Sequence, residues 1–237
     1  MGIYMPLYYA AYTFISAPES YWWPLNREVP IQHADSMIWA VMIGYTLPTI
    51  ILFVPWKDPF TLQNIEACWQ LSPMLVPLLC TIFAYFHPFQ RSKVAQQPRK
   101  ANEIPPDIEP LRRLYVVTGI LGVLFHVYCV VRACYDPELT LSGVFWPDFV
   151  TQEKTLGEGV KFMFLIDVGA LEVATYVWSC QAVWDLKRVG RSDADIPKTA
   201  ALIAVSTVVL GPGATLCAVW HWRETQLAKT SFATAPT

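Results

Sequence analysis

Long apolar stretches alternate with short polar segments along this chain. Four runs contain no Asp, Glu, Lys or Arg: Ser36–Trp56, Ala67–Gln90, Leu114–Val131 and Thr199–Trp222. Crossing the hydrocarbon core of a membrane takes about 20 mostly apolar residues in a helix that rises about 1.5 Å per residue. Each of the four runs therefore predicts a transmembrane helix.

Two further runs predict spans of less ideal composition. Phe162–Trp184 is long enough but contains Asp167 and Glu172, while Met1–Pro18 is uncharged and slightly short. The segment Leu139–Val150 is too short to cross unless its helix extends into polar sequence. It is expected to be a re-entrant or interfacial piece, or else a seventh helix.

The expected fold class is therefore all-α, a polytopic membrane helix bundle with six or seven transmembrane helices. It occupies residues 1–222 as a single domain, and residues 223–237 form a polar C-terminal tail. Composition agrees, because 54% of the 237 residues are hydrophobic and 15% charged, against about 25% charged in a soluble domain. We expect an integral, multi-pass protein of the endoplasmic reticulum membrane, in contact with membrane lipid.

The net charge narrows the range of partners. Seventeen Lys and Arg against nineteen Asp and Glu leave a formal net charge of −2, so the chain has no overall basic field to hold nucleic acid. A lipophilic small molecule drawn from the bilayer is the expected partner. The sequence leaves the oligomeric state open.

Motifs of common catalytic and metal sites are absent from the sequence. The six cysteines include no Cys-x-x-Cys pair and lie mostly in apolar runs, which predicts small buried side chains and neither a zinc site nor a disulfide framework. The sequence has no Gly-x-Gly-x-x-Gly, no Walker loop and no Asp-Asp-x-x-Asp cluster to hold magnesium. We therefore expect no metal and no cofactor.

Asp167 and Glu172 are the candidate catalytic acids. An acidic side chain at the centre of a span costs about 2.5 to 3.5 kcal/mol on insertion scales, so it marks a functional site by default. At about 100° per residue the two lie about 140° apart on their helix and cannot share one narrow face. The alternative is that both are structural groups whose hydrogen bonds clamp neighbouring helices.

Glu66 and Asp35 are the second pair of candidate acids. Each stands near the start of a predicted span, where it acts either as a helix cap or first-turn acid or as a group at the mouth of a cavity. His126 follows Gly119-x-x-Gly122, a small face that permits close helix packing. It is either a packed, hydrogen-bonded histidine or a substrate contact.

Aromatic side chains within the spans are candidate substrate contacts, since an aromatic face stabilises a cation. The set comprises Trp39, Tyr45, Trp69, Tyr176 and Trp178.

Prolines and glycines interrupt several spans. Pro48 lies in the second, Pro73 and Pro77 lie in the third, and Gly211-Pro212-Gly213 lies near the middle of Thr199–Trp222. Irregular backbone at membrane depth is tolerated only where protein or water satisfies its polar groups. These breaks predict either a cavity within the bundle or simple proline kinks.

Three short stretches carry a resemblance to a known family. They are Cys68-Trp69-Gln70-Leu71-Ser72-Pro73, Val144-Phe145-Trp146-Pro147 and Trp184-Asp185-Leu186-Lys187-Arg188-Val189-Gly190. With Asp167 in the intervening helix, the pattern resembles small fungal integral-membrane terpene cyclases of the ascofuranone, ascochlorin and macrophorin type. The resemblance implies cyclisation of a prenylated aromatic or quinone substrate through carbocations, begun by protonating a terminal epoxide or alkene.

The resulting hypothesis is a metal-independent terpene cyclase of meroterpenoid biosynthesis in fungal secondary metabolism, formally an isomerase or lyase. A carboxyl group in a water-poor site favours its protonated form, because the charged form loses hydration, and it can act as a general acid. Asp167, assisted by Glu172, is the expected donor. The alternatives are a small membrane transporter or proton-coupled carrier, in which Asp167, Glu172 and His126 relay protons, and a noncatalytic scaffold.

Overall fold

The computed structural model describes residues 2–18, 21, 29–86, 105–136, 140–150 and 155–230. Every regular element within those ranges is helical, so the all-α prediction is confirmed. In chain order the helices are α1 Tyr4–Ser16, α2 Ile31–Val41, a π-helical segment Met42–Thr46, α3 Leu47–Leu52, α4 Pro59–Trp69, α5 Ser72–Tyr85, α6 Ile108–Tyr135, α7 Leu141–Phe145, α8 Leu156–Arg188, α9 Ile196–Leu210 and α10 Pro212–Thr230.

The chain forms two compact units. Residues 1–25 and 115–237 make the first unit, and residues 26–114 make the second. Most of α6 belongs to the first unit, which also contains α1 and α7 to α10.

In the second unit, α2 packs against α5. Pro48 has no N–H to bond the carbonyl of Gly44, and the backbone widens there into the π-helical segment, where Leu47 N–H donates to Met42 O. Gly44 lies where the π-helical segment contacts α5, since a Cβ at this position would be 3.1 Å from Leu79 Cδ1. The predicted break at Pro48 is thus a bulge within a continuing helix.

The capping roles expected for Asp35 and Glu66 are wrong. Helix α2 begins after Pro30 and has no acid in its first turn, so Asp35 lies beyond it. Helix α4 is capped by Asp58, whose side chain accepts the Thr61 N–H at 2.9 Å. Hydrogen bonds from the Thr61 side chain and backbone lower the pKa of Asp58. Glu66 therefore lies well inside α4, because both helices start several residues earlier than the apolar runs do.

In the first unit, α8 packs against α1, α9 and α10. Its core includes the buried cluster of Val183, Ile203 and Val219, one from each of α8, α9 and α10. A Thr155–Glu158 capping box opens α8, with the Glu158 carboxylate accepting the Thr155 backbone N–H at 2.8 Å. This 33-residue helix is the element against which α1, α9 and α10 pack.

Two helical stretches of the described chain are long and apolar enough to cross a membrane, Ile31–Leu52 and Ile108–Tyr135. A third follows if α4 and α5, bent by 52° at their junction, form one broken span. Helix α9 has 15 residues and α1 has 13, so both are shorter than the usual length of a span. The structure thus supports two or three of the six or seven spans expected.

Two boundaries differ from expectation. Within 140–150 only the five residues Leu141–Phe145 are helical, which is too short for a seventh span; residue 139 lies outside the described residues. Helix α10 continues through residue 223 to Thr230, so the expected polar tail begins within a helix, and residues 231–237 lie outside the described residues.

The six cysteines are free thiols. Cys80 is buried as expected, whereas Cys68 and Cys134 are exposed. The expectation of burial is wrong for those two, because apolar sequence that faces outward does not bury its small residues.

We predict that Gly211→Ala destabilises the protein by about 2 kcal/mol. Gly211 has φ +92°, and a Cβ there would lie 2.8 Å from His126 Cβ. Thermal unfolding of the detergent-purified protein measures the effect. Gly213→Ala is the matched control, because nothing lies within 4 Å of its Cβ position. Equal melting temperatures for the two variants would contradict the prediction.

Candidate functional site

The helix break between α9 and α10 organises the first unit's candidate site. Four residues beyond Val208 stands Pro212, which has no N–H, so the Val208 carbonyl has no donor within its own helix. His126 of α6 fills this role, with its Nε2 3.0 Å from Val208 O. The sequence predicted the break at Gly211-Pro212-Gly213, and the structure joins it to His126.

This hydrogen bond determines which nitrogen of the imidazole carries a hydrogen. A carbonyl oxygen only accepts, so Nε2 must carry the hydrogen. A Cβ at Gly211 would lie 3.1 Å from Nδ1, which places the other ring nitrogen against the same break. His126 is therefore a hydrogen-bonded, packed histidine, as one of the two sequence interpretations expected.

Glu172 lies close enough to His126 to interact with it electrostatically. Glu172 is half-buried on α8, and its carboxyl group makes no hydrogen bond to any residue in the described part of the chain. The structure thus brings together two residues that the sequence named separately. A half-buried carboxyl group within electrostatic range of an imidazole is a candidate for acid–base chemistry.

Asp167 has different surroundings. Its Oδ1 accepts the backbone N–H of Gly2 at 2.7 Å, and a Cβ at Gly2 would lie 2.6 Å from the Asp167 carbonyl oxygen. Glycine is needed there for so close an approach. Asp167 and Glu172 therefore contact different parts of the unit, as their angular separation on the helix predicts.

Two predicted aromatic contacts on α8 are engaged in packing. The ring of Trp178 stacks on Tyr9 at 4.1 Å between centroids and packs against Trp220 at 4.1 Å. Tyr176 donates its hydroxyl to the carbonyl of Ala200 at 3.4 Å. These contacts tie α8 to α1, α9 and α10.

The remaining candidates belong to the second unit. Trp39 and Glu66 are exposed, and Asp35 is half-buried. Tyr45 and Trp69 lie 6.1 Å apart between ring centroids, and the Trp69 indole N–H donates to the Thr49 hydroxyl. Within this unit the structure brings together the Tyr45–Trp69 pair of the predicted residues.

Sequence reasoning missed a buried charge in α10. Arg223, assigned to the polar tail, is 2% exposed; its guanidinium donates to the Tyr12 hydroxyl at 2.9 Å and pairs with Glu224 at 2.7 Å. It also lies over the Trp220 ring, three residues earlier. Residues three apart on a helix are neighbours, so the spacing of Trp220 and Arg223 could have predicted this contact from the sequence.

A cavity of about 200 Å³ lies beside the start of α8. Its walls combine aromatic rings with charged groups, namely Trp146, Phe162, Asp148, Glu158 and Lys161. Trp146 was noted only for the resemblance, and Lys161 was not singled out at all.

An apolar cavity of about 330 Å³ lies between α9 and α10. Ile203, Leu210 and Val219 are among its lining residues, none of which is Asp, Glu, Lys, Arg or His. This cavity offers no acid. Across the described residues, no group of three or more His, Cys, Asp or Glu is arranged to hold a metal ion.

We predict that His126→Leu destabilises the protein by about 1 to 3 kcal/mol, because it leaves the Val208 carbonyl unsatisfied. His126→Gln retains a donor and is expected to recover part of that loss. Thermal unfolding in detergent checks both. If the two variants melt at the same temperature, the hydrogen bond contributes nothing to stability.

Comparisons with known proteins identify relatives that match most of this chain. The chain is 26% identical over 192 residues to "Terpene cyclase resF" of Aspergillus sclerotiorum, covering 78% of this chain and 50% of that protein. It is 31% identical over 233 residues to "FAD-dependent monooxygenase ntnA" of Nectria sp, covering 96% of this chain and 28% of that protein. It is 23% identical over 229 residues to "FAD-dependent monooxygenase verC1" of Penicillium polonicum, covering 96% of this chain and 27% of that protein.

The chain thus spans between about a quarter and half of the length of these relatives. None of the solved structures matches it. The model of the CtvD domain matches residues 1–228, nearly the whole chain, and the match confirms the resemblance to the fungal meroterpenoid cyclase type. The chain belongs to the CtvD domain family.

Proposed function

We propose that this protein is a membrane-bound terpene cyclase of meroterpenoid biosynthesis, acting on a lipophilic prenylated aromatic or quinone. The observation that carries the proposal is the half-buried Glu172 carboxyl group beside His126, with no hydrogen-bond partner among the described residues. Family membership and the relative named a terpene cyclase support it.

The substrate carries a terminal epoxide. Relatives that match nearly all of this chain are named FAD-dependent monooxygenases, and each is several times longer than the chain. A monooxygenase places one oxygen atom on its substrate, and an epoxide is the product of that chemistry at an alkene. This comparison favours the epoxide over the alkene as the group that receives the proton.

Glu172 donates the initiating proton to the epoxide oxygen. The tertiary C–O bond then breaks, and successive alkenes of the prenyl chain close rings onto the resulting carbocations. Loss of a proton from the last cation forms an alkene and returns the proton to the site. Atoms balance as an isomerisation, and initiation by protonation requires no metal.

His126 assists as a positioning residue. Its Nε2 hydrogen is held by Val208, which fixes the ring that interacts electrostatically with Glu172. Asp167, whose Oδ1 already accepts the Gly2 N–H, is the second candidate for the acid. Two carboxyl groups whose surroundings differ commonly take different roles in catalysis.

We expect six or seven transmembrane helices in the endoplasmic reticulum membrane. The apolar α2–α3 stretch and α6 supply the clearest spans. The substrate enters laterally from the lipid, and neighbouring helices keep water from the carbocations.

We predict that Glu172→Gln lowers product formation at least 100-fold. Microsomes containing each variant receive a farnesyl phenol with a terminal epoxide, and cyclic product is measured by mass spectrometry. Asp167→Asn keeps an acceptor for the Gly2 N–H and retains at least half of the activity. Glu109→Gln, which neutralises an exposed carboxyl group paired with Arg113, is the matched control.

Loss of activity in Asp167→Asn with normal activity in Glu172→Gln would identify Asp167 as the proton donor. Full activity in both would remove both residues from the proton transfer. Proton-dependent flux into liposomes without any chemical change of the substrate would favour the transporter instead. Normal metabolite output after joint neutralisation of Asp167, Glu172, Glu66 and Asp35 would favour the scaffold.

A further inference from the structure

Resting on the proposed function, we infer that the cavity beside the start of α8 binds the neutral, oxygen-bearing ring of the substrate. In this arrangement the ring packs against Trp146 and Phe162, and Lys161 donates a hydrogen bond to a ring oxygen.

The size of the cavity matches a single ring. Its volume is about 200 Å³, and an apolar cavity of about 150 Å³ is known to accept benzene. Trp146 and Phe162 supply aromatic surface, which favours a flat ring. The cavity is too small for a ring together with its prenyl chain, so the chain must leave it.

The polar groups of the cavity indicate which substituent the bound ring carries. Glu158 already accepts the Thr155 N–H and hydroxyl, at 2.8 and 2.7 Å, and Asp148 accepts the Val150 N–H at 2.8 Å. Lys161 makes no hydrogen bond or ion pair with any residue that the structure describes. The unused donors belong to Lys161, so the ligand supplies an acceptor.

Charge argues for a neutral ligand. Two carboxylates and one ammonium give the cavity side chains a formal sum of −1. A carboxylate or diphosphate on the ring would be repelled by Asp148 and Glu158, whereas a phenol, quinone or aldehyde oxygen accepts from Lys161 without that cost.

The cavity lies on the same helix as the proposed acid, at a distance that a prenyl chain can span. Leu165 lines the cavity, and Glu172 follows it by seven residues, so both lie on nearly the same face of α8. Lys161 and Glu172 are separated by about 16 Å along the helix at 1.5 Å per residue. An extended farnesyl chain covers a similar length, and its terminal epoxide would reach Glu172.

The test separates binding from turnover. The full chain is reconstituted in lipid nanodiscs, and equilibrium binding is measured with tritiated farnesyl hydroquinone and with tritiated farnesylbenzene, which lacks the ring oxygens. We expect the wild type to prefer the hydroquinone about tenfold, and Lys161→Met to abolish that preference while binding farnesylbenzene normally. Lys161→Arg keeps donors and preserves the preference.

Two further variants complete the design. Trp146→Ala weakens both probes alike, since it removes ring packing and not the hydrogen bond. Lys229→Met, an exposed lysine of α10 that does not line this cavity, leaves both affinities unchanged. A ring carboxylate in place of the hydroxyl binds more weakly than the hydroquinone.

An unchanged preference in Lys161→Met, no measurable binding of hydroquinone to the wild type, or tighter binding of the carboxylate probe would each overturn the site. Binding that depends on Lys161, with the epoxide recovered uncyclised, would keep the site and overturn the proposed function. Cyclisation with an unaltered KM in Lys161→Met would keep the function and overturn the site.

Chain length tests the spacing between ring and acid. Terminal epoxides of the geranyl, farnesyl and geranylgeranyl hydroquinones are compared for turnover. We expect the geranyl compound to bind through its ring and to be turned over at least tenfold more slowly than the farnesyl compound. Equal turnover of the two would overturn the placement of the ring at Lys161 with the epoxide at Glu172.

Discussion

The carbonyl of Val208 is the constraint on which the arrangement of the first unit depends. Pro212 removes its helical donor, and a carbonyl that neither water nor a protein donor reaches costs more free energy than a typical hydrogen bond contributes. Within a bilayer no water is available to take its place. The His126 hydrogen bond therefore joins α6 to the break, and the contact is close enough to require glycine at 211, where a Cβ would lie 2.8 Å from the imidazole.

The two carboxyl groups of α8 have different surroundings. Asp167 accepts a backbone N–H from Gly2, and this charge-assisted bond stabilises its ionised form. Glu172 interacts electrostatically with His126 instead, and the orientation of that imidazole is set by its hydrogen bond at the helix break. An acid whose neighbour is held in one tautomer loses less free energy to reorganisation during proton transfer. The break at Gly211 therefore acts on Glu172 through His126.

Hydrophobic pattern predicted the helical class and the break near Gly211 because both depend on local sequence. It did not predict where α2 and α4 begin, since Asp58 and Pro30 set those ends outside the apolar runs. The meeting of His126 with Glu172 depends on packing between helices far apart in sequence, for which a single sequence carries no signal. The hydrogen bond from Arg223 to the Tyr12 hydroxyl of α1 is equally long-range, although the spacing of Arg223 from Trp220 on α10 was visible in the sequence.

The proposed ring site and the proposed acid lie on one helix, so the distance between them is a property of the backbone. Helix α8 runs without interruption through Lys161 and Glu172, and its rise cannot change without breaking internal hydrogen bonds. A ring held at one end would therefore present the prenyl terminus to the acid at a fixed separation, which lowers the entropic cost of reaching the reactive geometry. Sites built across mobile loops lack this precision. In the proposed mechanism, an uninterrupted α8 is thus the feature that links selection of the ring to protonation of the prenyl chain.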